Sequence, residues 1–482
     1  MAVLACFAVC FLFLLFTHFP FLDLPYHWDE LGYFIPAAHD LLVGGTWIPR
    51  STPPSAHPPL LLAYLAAVWK LFGFSVTATR VAMLVVAAAT LSALFLLARR
   101  LAGPPAALMA VALMAVSPPF VAQSMLAHLD LAATLWMLLS LYWYLQGRYW
   151  LGAATATVLA LTKETGILLP LALAFFPPDE KKRRLGYLLP PLALGCWLVF
   201  VRSQTGHWFG SAEFARYNLN EALDPARIPL ALLRRLYQLG FVNFHWMATG
   251  LIVWAVLRRG ALAGRAWRLA AGLAAISLLF HSAIGGALLF RYLLPAFALY
   301  YAAAAAALQT LPIRIRQPLL ATLLAGLAIS NWWNPPYPFG YEDNLAVTDF
   351  IRLQQQGAAW LSEHYPNRVV TTAWPLSDAL VNPLGGYLQR PLSVYALNNF
   401  QPQSWDPLDG RRIDVVAIYS RSWEPERGWQ RWPPLARLLR RHFGYTPQLS
   451  PAEVSKRFHL QSAARWERRG QWMEILVRRP DD

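Results

Sequence analysis

The feature that most limits what this chain can become is the recurrence of long apolar blocks with almost no charge inside them. Met1–Phe16, Val81–Leu97, Leu131–Leu145, Leu188–Val201, Leu269–Phe290, Leu293–Leu308 and Leu319–Ile329 are such blocks. A water-soluble helix needs charge along its outer face, so segments of this kind call for hydrocarbon as solvent. Taken with the shorter blocks Ala106–Val116 and Leu251–Leu257 and their semi-polar flanks, they predict a mainly α, polytopic transmembrane chain of about eleven spans. Composition agrees, because only 14% of the 482 residues are charged, where a soluble domain carries about 25%.

The net charge of +15 does not point to nucleic acid, because the basic residues come as small clusters between apolar blocks. That is the positive-inside pattern. It places Arg99–Arg100, Arg148, Lys181–Arg184, Arg258–Arg268 and Arg314–Arg316 on the cytoplasmic side. By parity Asp23–Pro59, His128–Asp130, Lys163–Glu164, Gln204–Arg235, Phe290–Arg291 and everything after Ser330 then lie outside. Arg234 and Arg235 run against this scheme. The three cysteines, Cys6, Cys10 and Cys196, sit in apolar spans and offer neither a disulfide framework nor zinc-type spacing. The N-terminal block lacks a basic leader and a small-residue cleavage site, and reads as a retained first span.

Residues 1–331 read as one transmembrane module, with an outer loop at 23–77 that carries juxtamembrane helices. Leu60–Phe72 is apolar but short, which suits an interfacial helix better than a span of about 20 residues. Trp150–Leu161 and Gly166–Phe176 read as two short helices joined at Thr162–Thr165, a break of the sort that faces a cavity. A rigid linker rich in proline and aromatic residues, 332–340, leads into 341–482, whose ordinary composition predicts a small extracytoplasmic α/β domain. Its expected helices are Asn344–His364 and Pro434–Phe443, and its expected strands are Arg368–Thr372, Asp414–Tyr419 and Met473–Val477. No long internal repeat is visible, which argues against an inverted-repeat transporter.

Several residues carry chemistry that a lipid-facing helix has no use for. In His27-Trp28-Asp29-Glu30-Leu31-Gly32-Tyr33, two adjacent carboxylates follow the first span. They read either as a solvated interfacial pair or as a base with a neighbour that holds a cation or a hydroxyl. Asp130 opens an apolar span two residues after His128, either capping that helix or serving a site. Lys163 and Glu164 interrupt the paired short helices, where lysine is a suitable point charge for phosphate and an internal ion pair is the competing reading. Arg291, followed by Tyr292, is a second cation or a snorkelling arginine. His57 and His245 are metal ligands or ordinary hydrogen-bonding histidines. No Walker loop or dinucleotide fingerprint is present.

Taken in order, Asp29-Glu30, His57-Pro58-Pro59-Leu60, Phe72-Gly73 with Arg80, Ser117-Pro118 with Asp130, Leu161-Thr162-Lys163 and Arg291-Tyr292-Leu293-Leu294-Pro295 form a set. This set resembles the GT-C polyprenyl-phosphate-sugar glycosyltransferases over roughly residues 1–310. The most similar branch holds the protein O-mannosyltransferases and the bacterial enzyme that adds aminoarabinose to lipid A. The resemblance implies a GT-C-type fold in the inner membrane. It implies transfer of a sugar from a polyprenyl-phosphate donor to an extracytoplasmic lipid, glycan or protein acceptor, with inversion at the anomeric carbon. In that reading Asp29 is the base, Glu30 stands beside it and Asp130 is the second acidic residue. Lys163 and Arg291 hold the donor phosphate, and Tyr33, His57, His128, Glu164 and Tyr292 line the substrate site. Branch members carry an acidic or basic residue before the Pro-Pro pair, where this chain has Ala56 and His57, which leaves metal binding open. A divalent metal is the one cofactor to consider, with Glu30, His57 and His245 as its candidate ligands. The competing class is a membrane transporter or lipid flippase that uses the same intramembrane charges.

Overall fold

The computed structural model describes residues 2–174, 185–220, 223–284, 286–333, 342–421, 432–443 and 447–478. The basic cluster Lys181–Arg184 and most of the linker, residues 334–340, lie outside this set. The chain divides into two compact units. The first is Met1–Leu22 with Ala37–Trp332, and the second is Asp23–Pro36 with Trp333–Asp482. Sequence alone puts 23–36 in the outer loop of the membrane module. In the structure that segment is instead part of the second unit.

The first unit is helical. Six helices are long and apolar enough to cross a membrane: Ala2–Phe21, Val76–Ala102, Leu185–Thr205, Arg265–Ala283, Phe290–Gln309 and Ile313–Ser330. The pair Arg227–Gly240 and His245–Arg258, bent by 88°, makes a seventh if taken as one broken span. The expected count of about eleven is therefore too high among the described residues. The difference is one of length, because Leu60–Phe72, Pro104–Ala115, Leu129–Leu145 and Tyr149–Thr162 are apolar but only 10–17 residues long. At about 1.5 Å per residue such helices fall short of a hydrocarbon core of about 30 Å.

Val76–Ala102 is the central helix. It is apolar on every side and correspondingly buried on every side, with Leu84, Ala87, Ala88, Leu91, Leu94 and Leu97 fully enclosed. Ser75 caps it by accepting from the Ala78 amide at 3.1 Å, and Gly103 closes it with φ +85°. Leu129–Leu145 packs against this helix and against Tyr149–Thr162. Lipid tails are as apolar as leucine, so close approach of small residues has to supply the packing. The alanine run of Leu294–Gln309 does this, with Ala304, Ala305 and Ala307 fully buried.

The second unit holds a five-stranded sheet in the order β2-β1-β3-β5-β4. The strands are β1 Val370–Ala373, β2 Val394–Leu397, β3 Val415–Tyr419, β4 Leu460–Arg468 and β5 Gln471–Arg478. β1 runs parallel to β2 and β3, and β5 runs antiparallel to β3 and β4. Val415, Val416, Ala417 and Ile418 are all fully buried, as a central strand covered on both faces requires. The helix Ala346–His364 packs on β5 through Gly357, where a Cβ would lie 2.1 Å from Met473 Cε, so any larger residue must displace the methionine side chain. Asp23–Pro36 joins this unit through the Tyr26 amide, which donates to Gly385 O at 3.0 Å, and through His27, whose ring meets Phe350 edge-on at 5.4 Å.

Candidate active site

Within the first unit, three turns that interrupt helices bring charge together. Arg80 on the central helix donates from Nη1 to Met125 O at 2.8 Å and pins the turn that precedes Leu129–Leu145. His128 stands at the N-terminus of that helix without capping it, and Asp130 follows in its first turn. Asp130 does not act as a cap either. Its carboxylate reaches sideways, with Oδ1 2.5 Å from Lys163 Nζ and Oδ2 3.3 Å from Arg291 Nε.

Lys163 comes from the second turn. Tyr149–Thr162 ends where Lys163 takes an extended conformation (φ −149°, ψ 134°), and the chain resumes as the short 3₁₀ helix Glu164–Ile167. The break sends two neighbouring side chains to different partners. Lys163 goes to Asp130 and stands 4.2 Å from the Tyr292 ring centroid, while Glu164 accepts from His57 Nδ1 at 2.8 Å. No Lys163–Glu164 pair forms. Arg291 comes from the third turn, the 3₁₀ helix Phe290–Leu293. Its Nη1 lies 3.3 and 3.2 Å from His128 Nδ1 and Nε2, and His128 Nδ1 lies 2.8 Å from Gln123 Oε1.

Sequence reasoning missed Arg235 as a site residue. It is wholly buried, donating from Nε and Nη2 to His281 O at 3.1 and 2.9 Å and from Nη1 to Leu289 O at 3.3 Å. Its guanidinium lies 5.9 Å from the Tyr292 ring. The signal was present, because Arg234 and Arg235 broke the charge rule that every other cluster obeyed. Three cations, Lys163, Arg291 and Arg235, are thus buried around Tyr292 and Asp130, at 6%, 4%, 0% and 5% exposure for Lys163, Arg291, Arg235 and Asp130. Three cations gathered around one aromatic ring suit an anion.

Residues adjacent in sequence to the cluster line an apolar cleft, with Ala133, Met137, Leu159, Leu169, Leu273 and Leu299 in its wall and Thr165, Ser277 and His281 as its polar members. Thr165 belongs to the turn that carries Lys163, and His281 supplies the carbonyl that holds Arg235.

Three further expected site residues are in the other compact unit. Asp29, Glu30 and Tyr33 belong to the second unit. Glu30 is fully buried and accepts from the His27 amide at 3.2 Å, whereas Asp29 is half-buried at the start of the π-helical turn Glu30–Phe34. Tyr33 packs edge-on against Phe34 at 5.2 Å. The expected metal ligands do not form a set. His57 is engaged by Glu164, and His245 is held between Gln238 O at 3.2 Å and Tyr301 Oη at 2.7 Å. Among the described residues no three His, Cys, Asp or Glu side chains converge as metal ligands. Within the first unit, the described His57 and His245 are thus held by other partners and present no three-ligand set for a metal.

Residues 56–203, which contain His57, Asp130, Lys163 and Glu164, match the model of the dolichyl-phosphate-mannose-protein mannosyltransferase family. Comparison with curated protein sequences gives no match. Among solved structures, ArnT from Cupriavidus metallidurans bound to undecaprenyl phosphate is similar over 98% of this chain and 97% of that one, with a TM-score of 0.58 at 15% identity. The Archaeoglobus fulgidus oligosaccharyltransferase in its apo form is similar over 86% of this chain and 69% of that one, with a TM-score of 0.52 at 10% identity. The likeness extends over nearly the whole chain and bears out the GT-C-type fold expected from the sequence.

Proposed function

We propose that this protein is a membrane glycosyltransferase that moves one sugar from a polyprenyl-phosphate donor to a hydroxyl acceptor outside the cytoplasm. The observation that carries this reading is the gathering of three buried cations, Lys163, Arg291 and Arg235, around Tyr292. A lipid phosphate is the anion that also accounts for the apolar cleft beside the cluster, which would take the first part of a prenyl tail. The solved ArnT structure is of a complex with undecaprenyl phosphate, which supports the same donor class.

In this reading the cations stabilise charge as it builds on the departing phosphate. Phosphate is already a competent leaving group, so no general acid is needed. Asp130 has both oxygens engaged by Lys163 and Arg291 and serves to orient them. Proton removal from the acceptor falls to Asp29. Glu30, turned back onto the His27 amide, supports the local fold. Direct displacement by the acceptor oxygen inverts the anomeric centre.

The test uses purified full-length protein and a synthetic polyprenyl-phosphate donor with labelled sugar. Transfer to an envelope-lipid or glycan acceptor, with Asp29→Asn and Lys163→Ala each lowering it by orders of magnitude, supports the reading. Full activity in both variants, or retention of the donor's anomeric configuration, removes it.

A further inference from the structure

In the second unit, the connection from β1 leads to β2 on one side, while β3 lies on the other side of β1. The carboxyl ends of β1 and β3 therefore flank a topological switch point, the place where open parallel sheets leave a crevice for a ligand. Beyond β1 the chain reads Trp374-Pro375, and beyond β3 it reads Ser420-Arg421. Tyr419 Oη donates to Ala373 O at 2.9 Å and ties the two ends together.

The segment Asp23–Pro36 is laid across this switch point. The Trp28 ring meets Trp374 edge-to-face with centroids 4.2 Å apart. A Cβ on Gly32 would lie 3.3 Å from Trp374 Nε1 and 3.6 Å from Asp378 Oδ2, so the Gly32 backbone rests against both side chains. Trp28 holds φ +50°, a conformation rare for a bulky residue and kept only where its surroundings impose it. Trp28, Asp29, Trp374 and Asp378 are each half-buried rather than sealed into the core. Burial pushes the Asp378 carboxyl above its usual range, against hydrogen bonding with Ser377 and Trp374. Two indoles and a carboxylate, all partly exposed at the strand ends, match the chemistry of a sugar ring. A pyranose stacks its C–H face on an indole and gives a hydroxyl to the carboxylate.

We infer that Trp374, Trp28 and Asp378 form a saccharide-binding subsite at the switch point of the second unit, next in sequence to Asp29. Calling its occupant the acceptor glycan rests on the proposed transferase, whereas the saccharide contact itself does not. The subsite sets which hydroxyl-bearing ring is presented, and Asp29 lies one residue after Trp28.

The test is saturation-transfer NMR on the detergent-solubilised full-length protein. The probes are methyl α-D-mannopyranoside, methyl β-D-glucopyranoside and N,N′-diacetylchitobiose, with a serine- and threonine-rich peptide as the contrasting class. At least one saccharide should show a saturable contact that is lost in Trp374→Leu, weakened several-fold in Asp378→Asn and kept in Lys163→Ala. If Trp374→Leu does not fold, Asp378→Asn decides. No contact from any saccharide, a contact unchanged in these variants, or contact by the peptide alone overturns the inference. A transfer assay on the same preparation separates the two proposals. Absent transfer with an intact Trp374-dependent contact removes the proposed function and leaves this subsite standing.

Discussion

Asp130 Oδ1 lies 2.5 Å from Lys163 Nζ, joining the first turn of one helix to the break in another 33 residues on. Both side chains are buried, so neither charge is well solvated when the other is removed. Asp130→Asn should therefore destabilise the protein by about 3–5 kcal/mol, the usual cost of stranding one member of a buried pair. Asp130→Asn with Lys163→Met should cost much less than the two single changes added together, because the stranded charge is gone. Thermal unfolding of the purified variants in detergent measures this, and strict additivity contradicts the pairing.

In the proposed function Lys163 also holds the donor phosphate. A hydrogen bond to a charged group contributes about 1.5–3 kcal/mol, so Lys163→Ala should weaken donor binding about tenfold to a hundredfold. Titration with the polyprenyl phosphate alone, without a transferable sugar, reads the effect apart from the chemistry. An unchanged affinity places the phosphate elsewhere.

Arg235 uses the forked shape of its head group, with Nε and Nη2 on the His281 carbonyl and Nη1 on the Leu289 carbonyl. Lysine carries the charge without the fork. Arg235→Lys should therefore lower transfer nearly as far as Arg235→Gln, about tenfold or more if two such hydrogen bonds are lost. Full activity in Arg235→Lys shows that charge alone suffices there.

How much of this was legible in the sequence depends on the range of the contact. Asp130, Lys163 and Arg291 stood out because a charge in an apolar run has few structural excuses. Their convergence, and the His57–Glu164 pair 107 residues apart, are products of packing that no local pattern records. The span count failed for a related reason, since hydropathy marks apolar helices and does not say which are long enough to cross. In the second unit β1, β3 and β5 were readable as apolar runs, whereas β2 and β4 were not. Those two are the edge strands, and β4 alternates half-buried and exposed residues along most of its length. Asp23–Pro36 was assigned to its sequence neighbours, while its partners Trp374 and Gly385 lie more than 300 residues away.

Asp40 offers a pH test outside the spans. Its Oδ2 accepts from the Arg50 and Ser51 amides at 2.6 and 2.8 Å and from Ser51 Oγ at 2.9 Å, closing the loop between residues 40 and 51. Burial alone would raise its pKa, but the Ser51 and Arg50 hydrogen bonds outweigh burial and hold the carboxyl below its usual range. A depressed carboxylate stabilises the folded loop above the unfolded pKa of about 4, and that contribution is lost as pH falls through the folded value. Amide exchange at Arg50 and Ser51 should thus stay protected at neutral pH and accelerate only in acid, beyond the intrinsic pH dependence of exchange. Asp40→Asn should remove the protection at neutral pH as well, and equal protection in that variant dissociates the loop from the carboxylate.

Gly166 fixes the position of Lys163 from three residues away. Its amide donates to Lys163 O at 2.8 Å, and a Cβ at this position would lie 2.8 Å from the Leu159 carbonyl carbon and oxygen. Those are backbone atoms of the preceding helix and have no rotamer by which to yield. Gly166→Ala must therefore open the turn, at an overpacking cost of about 1–3 kcal/mol. The opening moves Lys163 off Asp130 and Glu164 off His57 together, because the same turn carries both. The variant should fold with reduced stability and lose transfer as fully as Lys163→Ala does, although it removes no charge. Wild-type donor affinity in a folded Gly166→Ala protein contradicts this dependence of the cation's position on the turn.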